Sequence, residues 1–206
     1  MEAKDLRFSI VIPFYNASAY LPRSIGDVLS QTYSDWELLL VDDCSTDEGS
    51  RVAENCAAKD ERIKVIRHEQ NLGVSAARNT GIGRAAGDYL LMLDADDRYE
   101  PTLLEKLSEA LNEYAADVAV YGFWEEYFDG DQKTYEKIFT AKDICLTEIK
   151  EIAHKVYELN KMTMYGYPWN KAYRLSYLRE GGYLFGEDSF GEDILFNISV
   201  FQNITS

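Results

Sequence analysis

The sequence predicts an α/β fold in which a mostly parallel, Rossmann-like central sheet is flanked by helices. Short runs such as 8–16 and 36–43 are apolar nearly throughout, which is typical of strands buried on both faces of a parallel sheet. Segments with apolar residues at helical spacing separate these runs. Strands and helices therefore alternate along the chain, as in a series of βαβ units.

The first such unit comprises strand 8–16, a helix and strand 36–43. Pro22 is compatible with the helix because a proline in the first turn removes no helical hydrogen bond. The spacing of four apolar residues predicts the face that this helix buries: Leu21, Ile25, Val28 and Leu29.

The same alternation continues to about residue 123. Pro101 precedes a segment whose leucines form one apolar face, so a helix is expected to begin after it. The pattern predicts helices at 47–58, 73–87 and 102–114, and strands at 63–67, 88–93 and 117–123.

From about residue 124 the sequence changes character. Two aromatic, alternating arms flank Asp129 and Gly130, which predicts a β-hairpin outside the main sheet. A helix is expected at 147–160. The last apolar run predicts another helix, whose buried face would comprise Ile194, Leu195, Ile198 and Phe201.

Composition limits the class of protein. A chain of 206 residues suits a single domain, and a formal net charge of −15 disfavours nucleic acid and anionic membranes as partners. Three cysteines without a CxxC pair indicate reduced thiols. With neither an 18-residue apolar run nor a signal peptide, the chain is expected to be cytoplasmic.

Carboxylates follow the predicted strands at the edge where α/β sheets bind ligands. Asp94 and Asp96 come after a buried strand and would point to the same side, ~6.6 Å apart in an extended chain. Oxygen ligands of this kind select Mg²⁺ or Mn²⁺. A helix or turn cap is the alternative for Asp94 or Asp97. Asp42 and Asp43 end another strand and could accept hydrogen bonds from a ribose or a base.

Three other polar side chains lie near the same predicted edge. Tyr15 and Asn16 follow the first strand, where a ring could stack on a nucleobase and an amide could read it. Arg78 lies on a helix from which it could approach a phosphate. Ordinary packing is the alternative for Tyr15, and a solvated helix charge is the alternative for Arg78.

Taken together, these segments resemble the family 2 glycosyltransferases, which have the nucleotide-sugar-binding GT-A fold. The resemblance covers nearly the whole chain. The segments that carry it, in the family's order, are SIVIPFYN, SQTYSDWELLLVDDCSTD, NLGVSAARNTGI, GDYLLMLDADD, WNKAYR and GED.

The resemblance implies a role for each matching residue. Asp193 matches the general base, and Asp96 matches the acid that binds Mn²⁺ or Mg²⁺. The acceptor side would be lined by Trp169, Asn170, Lys171 and Glu192. The donor would be bound by Pro13, Tyr15, Asn16, Asp42, Asp43, Arg78, Asp94 and Ala95.

The resemblance also implies the reaction: metal-dependent transfer of a sugar, with inversion, from a nucleotide sugar to a hydroxyl acceptor. UDP is the favoured nucleotide, and the acceptor would be a glycan or a lipid-linked molecule in polysaccharide biosynthesis. A donor half at about 1–116 would precede an acceptor half at about 117–206. Relatives continue further with elements that close the site, so a shortened C-terminus and peripheral membrane association at the inner face are expected.

Two other functions are compatible with an α/β sheet of this kind. A sugar-1-phosphate nucleotidyltransferase would need a glycine-rich, basic loop after the first strand, and the segment there has no such glycines. A non-catalytic nucleotide-sugar-binding module would not need the full set of acids.

The triplet Gly-Glu-Asp occurs twice, ending at Asp188 and at Asp193. Only the second copy leads directly into an apolar run, so Asp193 is expected in the first turn of a helix and is preferred over Asp188 as the base. The helix dipole is expected to lower the pKa of Asp193 and keep it ionised.

Overall fold

The computed structural model describes residues 5–130, 132–186 and 191–204. Its strands are β1 (Phe8–Phe14), β2 (Trp36–Asp42), β3 (Ile63–Arg67), β4 (Tyr89–Met92), β5 (Val118–Val120), β6 (Phe123–Asp129), β7 (Gln132–Phe139) and β8 (Lys171–Arg174). Its helices are α1 (Leu21–Leu29), α2 (Gly49–Ala57), α3 (Val74–Arg84), α4 (Leu103–Tyr114), α5 (Ile149–Lys161), α6 (Leu175–Glu180) and α7 (Glu192–Phe201).

The predicted α/β fold is confirmed. Six strands form one sheet in the order β3-β2-β1-β4-β8-β5, in which β3, β2, β1 and β4 run parallel. β8 runs antiparallel to both of its neighbours. The hairpin is also confirmed: β6 pairs with β7 in a separate sheet, and Gly130 at its turn has a φ of 58°.

The apolar runs are buried on both faces, as predicted for a parallel sheet. Along β2, Leu38 and Leu40 pack on the face covered by α1, α2 and α4. Leu39 and Val41 pack on the opposite face, against α3, α6 and α7. A smaller cluster joins the base of the hairpin to α5.

Gly81 allows α3 to lie close to the sheet. A Cβ at this position would stand 2.3 Å from Cγ1 of Val11 in β1, so any larger residue would force the helix away. Because Arg78 is less than one turn earlier on α3, this close packing also determines how far its side chain reaches beyond the strand ends.

The edge of the sheet differs from the prediction in two ways. The expected strand 117–123 is divided, since β5 ends at Val120 and Phe123 begins the hairpin. β8 was not predicted as a strand, because its four residues follow a loop and are too few to show periodicity. The return of the chain through β8 makes this edge antiparallel.

The predicted buried face of α7 is wrong. Ile194 and Leu195 are about half exposed, whereas Phe196 and Val200 are buried. The ring of Phe196 stacks on that of Phe185, with centroids 4.0 Å apart. The helix is apolar on nearly every side, so two apolar faces compete in the sequence and tertiary packing selects one of them.

Among the described residues, we find no helix with the length and apolar character needed to cross a membrane.

Candidate active site

A cleft of about 340 Å³ opens at the carboxyl ends of the parallel strands. The ends of β1 and β2 are side by side, since Phe14 pairs with Asp42 in the parallel register. The cleft is lined by Pro13, Phe14, Tyr15, Asn16, Ala17, Tyr20, Val74, Arg78, Asp94, Ala95 and Asp96. Six of the eight predicted donor-binding residues and the predicted metal ligand therefore share one cleft.

Tyr15 and Asn16 form the rim of this cleft next to β1. Tyr15 is 49% exposed, which leaves its side chain available to a ligand. Asn16 has a positive φ of 51°, and its side-chain oxygen accepts hydrogen bonds from the backbone N–H groups of Thr46 and Asp47. Asn16 therefore holds the ends of β1 and β2 together, and within the described residues its side-chain N–H₂ group donates no hydrogen bond.

Asp42 is placed differently from the expectation that it contacts the donor. Its side chain is fully buried, and Oδ1 accepts a hydrogen bond from the backbone N–H of Ser45 at 2.7 Å. Oδ2 accepts a hydrogen bond from the hydroxyl of Ser50 and lies 3.5 Å from Nε of Arg67. Because both oxygens are used within the chain, Asp42 stabilises the turn after β2.

Asp43 is also buried, and it organises the loop before α3. Oδ1 accepts a hydrogen bond from the backbone N–H of Leu72 at 2.9 Å, and Oδ2 accepts one from Gly73 at 2.7 Å. Oδ1 also lies 2.7 Å from Nδ1 of His68, whose Nε2 is 2.9 Å from the hydroxyl of Thr80. His68 was not predicted, because a loop histidine 25 positions away carries no local signal.

The acids after β4 form a tight turn. The backbone N–H of Asp97 bonds to the carbonyl of Asp94 at 3.0 Å, and the carbonyl of Asp96 accepts a hydrogen bond from Arg23 at 2.7 Å. Asp96 is exposed. Burial and the negative charges of Asp94 and Asp96 raise the pKa of Asp97 to about 7.

This turn suits a divalent cation without enclosing one. In the part of the chain that the structure describes, no three His, Cys, Asp or Glu side chains are grouped as a ready metal site. Mg²⁺ and Mn²⁺ in nucleotide sites commonly take one or two carboxylates and complete their shell with phosphate oxygens and water. The exposed carboxylate of Asp96 in an acidic cleft fits that donor set.

Arg78 joins the acids of this turn to α7. One terminal nitrogen lies 2.5 Å from Oδ1 of Asp193, and the other lies 3.1 Å from Oδ1 of Asp94. The side chain of Arg78 is only 4% exposed. Glu192 is further away, with an oxygen 3.9 Å from the guanidinium.

Asp193 lies in the first turn of α7, as predicted, after Gly191 with a φ of 79°. Its pKa is raised, contrary to the expectation from the helix dipole, because burial outweighs the opposing effect of Arg78. The nearby carboxylates of Glu192 and Asp94 add to this rise. The comparison with Asp188 stays a prediction, since residues 187–190 lie outside the described parts of the chain.

Lys171 and Asn170 are placed differently from the expectation that they line the acceptor side, because both are fully buried. The ammonium of Lys171 donates to the carbonyls of Met164, Tyr165 and Tyr167 at 2.5–3.2 Å, and to the side-chain oxygen of Asn170. Burial lowers the pKa of Lys171 to about 7. The two side chains therefore stabilise the conformation of loop 164–170 through buried hydrogen bonds.

Loop 164–170 presents aromatic rings at its surface. Tyr167 and Trp169 are partly exposed and stack with centroids 4.7 Å apart. The loop is joined to α7, since the side-chain N–H₂ of Asn197 donates to the carbonyls of Gly166 and Asp193. Trp169 thus belongs to a wall next to the helix that carries Asp193.

A larger cavity of about 530 Å³ lies between α4, β5 and α5. Its lining is mainly apolar and includes none of the predicted site residues. The cleft at the strand ends is smaller, but it contains the convergent carboxylates and the arginine. We therefore assign the candidate active site to the cleft.

Comparison with known proteins identifies the family to which the chain belongs. The family model described as Glycosyl transferase family 2 matches residues 9–182, most of the chain. The chain belongs to this family. It is 34% identical over 195 residues to the uncharacterized glycosyltransferase EpsJ of Bacillus subtilis (strain 168), covering 94% of this chain and 56% of that protein.

Solved structures of glycosyltransferases share the fold. S. aureus TarS in complex with UDP-GlcNAc has a TM-score of 0.74 at 24% identity, covering 97% of this chain and 54% of that one. The mannosyltransferase PcManGT from Pyrobaculum calidifontis, in complex with GDP-Man and Mn²⁺, has a TM-score of 0.62 at 17% identity, covering 95% and 52%. At these identities the likeness shows the GT-A fold alone. The chain spans about half the length of these proteins.

Proposed function

We propose that this glycosyltransferase domain transfers a sugar from a nucleotide sugar, with UDP as the nucleotide, to a hydroxyl group of a glycan or lipid-linked acceptor in polysaccharide biosynthesis. The proposal rests above all on one observation: Arg78 links the acidic turn of the cleft to Asp193 on α7. A leaving diphosphate needs a positive charge beside it, and an attacking hydroxyl needs a base. The acidic turn would hold the cation and Asp193 would be the base, and the contacts of Arg78 keep these two parts of the site together.

The donor would lie in the cleft at the ends of β1 and β4. The exposed Tyr15 would stack on the base, and the side-chain N–H₂ of Asn16 would bond to it. Pro13 and Ala95 would shape the floor, and Asp94 would hold the ribose or the sugar. UDP is proposed from the resemblance at Asp43 and Tyr15, and the TarS complex named above contains a UDP-sugar.

Asp96 would hold a divalent cation together with phosphate oxygens of the donor. A bound Mn²⁺ or Mg²⁺ supplies positive charge that offsets the negative charge growing on the diphosphate. The acidic turn favours this reading: with a net charge of −15, the chain needs a local cation before a diphosphate can approach Asp94 and Asp96.

Asp193 would act as the general base. The acceptor oxygen forms a bond to the anomeric carbon while the bond from that carbon to the diphosphate oxygen breaks, and the hydroxyl proton passes to the Asp193 carboxylate. The raised pKa of Asp193 makes it a stronger base than an exposed aspartate. A single displacement of this kind inverts the anomeric configuration.

The acceptor would approach along the wall formed by Tyr167 and Trp169. Flat aromatic faces suit the apolar faces of sugar rings, and Glu192 beside the base offers a hydrogen-bond acceptor for a hydroxyl. Asn170 and Lys171 would act on the acceptor only through the loop that they hold in place.

The direct test is the release of UDP from UDP-GlcNAc, UDP-glucose and UDP-galactose, with Mn²⁺ or with EDTA, alongside GDP-mannose as a comparison. We expect release from at least one UDP-sugar with Mn²⁺ and little with EDTA. Asp96→Ala should abolish release, whereas Asp129→Ala in the exposed hairpin turn should not. If no nucleotide sugar binds or reacts in the presence of Mn²⁺, the proposal fails.

A further inference from the structure

Arg78 contacts Asp193 directly, and this contact points to a role that is separate from donor binding. We propose that Arg78 is the positioning residue of Asp193: its guanidinium aims the carboxylate into the cleft and ties it to the acidic turn after β4. This inference rests on the proposed function, in which Asp193 is the base, and it assigns Arg78 a role other than the donor contact expected from the sequence.

The contacts of the guanidinium support this role. Both of its terminal nitrogens meet carboxylates, at 2.5 Å for Asp193 and 3.1 Å for Asp94. Nε is buried without a hydrogen-bond partner in the described parts of the chain. An arginine held in this way has a fixed orientation, and the charged hydrogen bond to Asp193 is short and directional.

The surroundings of Arg78 leave it little freedom to turn elsewhere. Gly81 holds α3 against Val11, and the guanidinium carbon lies 5.1 Å from the ring centre of Phe185. The neighbouring Asn79 exchanges two hydrogen bonds with the backbone of Phe185, whose ring stacks on Phe196 of α7. Arg78 is thus clamped between the helix that bears it and the helix that bears the base.

The charges around Asp193 indicate what the loss of Arg78 would do. Glu192 and Asp94 repel the ionised carboxylate, and partial burial opposes ionisation as well. Arg78 acts in the other direction by direct contact. The negative charge of Asp193 also favours the charged form of Lys171, so the two groups interact. Removing Arg78 leaves burial and both carboxylates in place, so the pKa of Asp193 should rise.

The hydroxyl of Tyr173 is a further titratable group near Asp193 in the described part of the chain. It donates a hydrogen bond to the side chain of Asn197, and its pKa is raised far above the neutral range by burial. Tyr173 therefore stays neutral while Asp193 titrates. It does not compete with Arg78 for the role.

The experiment compares wild type with Arg78→Lys, Arg78→Met and the control Arg84→Met, which removes an exposed arginine from the same helix. UDP release from a UDP-sugar that the wild type uses is measured from pH 5 to 9. For Arg78→Met we expect kcat to fall by about 100-fold, with the KM for the donor within about threefold. The acid limb of the kcat profile should move to higher pH.

Arg78→Lys should recover part of the rate, because it restores the charge without the two-pronged contact. Melting temperatures identify any variant that fails to fold, in which case Arg78→Lys and Arg78→Gln carry the test. A donor KM raised at least tenfold at constant kcat would overturn the proposal, because it would place Arg78 on the donor. Equal losses in Arg84→Met would overturn it too.

A second readout needs no substrate. The carboxyl carbon of Asp193 is followed by ¹³C NMR as the pH is changed, in wild type and in Arg78→Met. A higher pKa in the variant supports the positioning role, and an unchanged pKa contradicts it. If the wild type transfers no sugar, the proposed function fails, but this titration still decides whether Arg78 controls Asp193.

Discussion

The donor side of the cleft stands directly on strand ends, whereas the base side is carried by a helix that the chain reaches only after the hairpin and β8. The donor side comprises Tyr15, Asn16, Asp94, Ala95 and Asp96. The base side comprises Glu192, Asp193 and loop 164–170. The donor side inherits its geometry from the parallel sheet. The base side depends on side-chain contacts, chiefly those of Arg78, Asn197 and Lys171.

Because of this difference, the two sides should respond differently to substitution. Strand ends are fixed by backbone hydrogen bonds that no single side-chain change removes, so substitutions of Tyr15 or Asp96, whose side chains are exposed, should alter chemistry and leave the fold intact. On the base side, one buried side chain can support the position of several others. Substitutions of these buried supporting side chains should alter stability or geometry first, and activity in consequence.

Asp96→Ala should have the largest effect on the donor side. Loss of the exposed carboxylate removes the protein's ligand for the cation, so donor binding and rate should both fall, by at least about 100-fold in kcat/KM. Steady-state kinetics at several Mn²⁺ concentrations measure this, with the melting temperature as a control for folding. A normal rate in Asp96→Ala at limiting Mn²⁺ would assign the cation to another residue.

Two neighbouring substitutions in α7 test which face of that helix supports the base side. Phe196→Ala should lower the free energy of unfolding by about 3–5 kcal/mol, because it removes a fully buried ring that stacks on Phe185. Leu195→Ala, at a half-exposed position, should cost less than about 1 kcal/mol. Urea unfolding measures both. Equal costs would contradict the packing of α7 described above.

Lys171→Met tests whether the hydrogen bonds from the Lys171 ammonium stabilise loop 164–170. The methionine keeps most of the length of the side chain but leaves three backbone carbonyls without their donor, two of them buried, so the free energy of unfolding should fall by about 2 kcal/mol. Lys150→Met, at an exposed position of α5, is the control and should be near neutral. A stable Lys171→Met protein with a normal rate would show that the loop does not depend on this ammonium.

Much of the parallel sheet could be predicted from the sequence. Runs such as FSIVIPF at 8–14 are short and apolar, and the rule that ligands bind at the carboxyl ends of strands then placed Asp94 and Tyr15 in one cleft. These are local signals combined with a general rule of sheet topology. The donor side could be predicted because its residues follow directly after strands that the sequence reveals.

The base side was harder to predict because the residues in contact there are far apart in the sequence. Arg78 and Asp193 are separated by 115 positions, and no local pattern reports their contact. From the sequence, Lys171 looks like an exposed polar residue, but its side chain is completely buried. Its acceptors are backbone carbonyls that come together only when the loop has folded. The direction of the Asp193 pKa was missed because burial by tertiary packing exceeded the local effect of the helix.

The most direct test of the two-sided cleft is to measure UDP binding and UDP release in the same variant, Asp193→Asn. Calorimetry in the presence of Mn²⁺ should give a Kd for UDP within about threefold of the wild type, while the rate of sugar transfer falls by about 10²–10⁴-fold. Asp188→Asn should keep most of its activity. A weakened UDP affinity with a proportionate loss of rate, or a greater loss of rate in Asp188→Asn, would show that Asp193 is not the base.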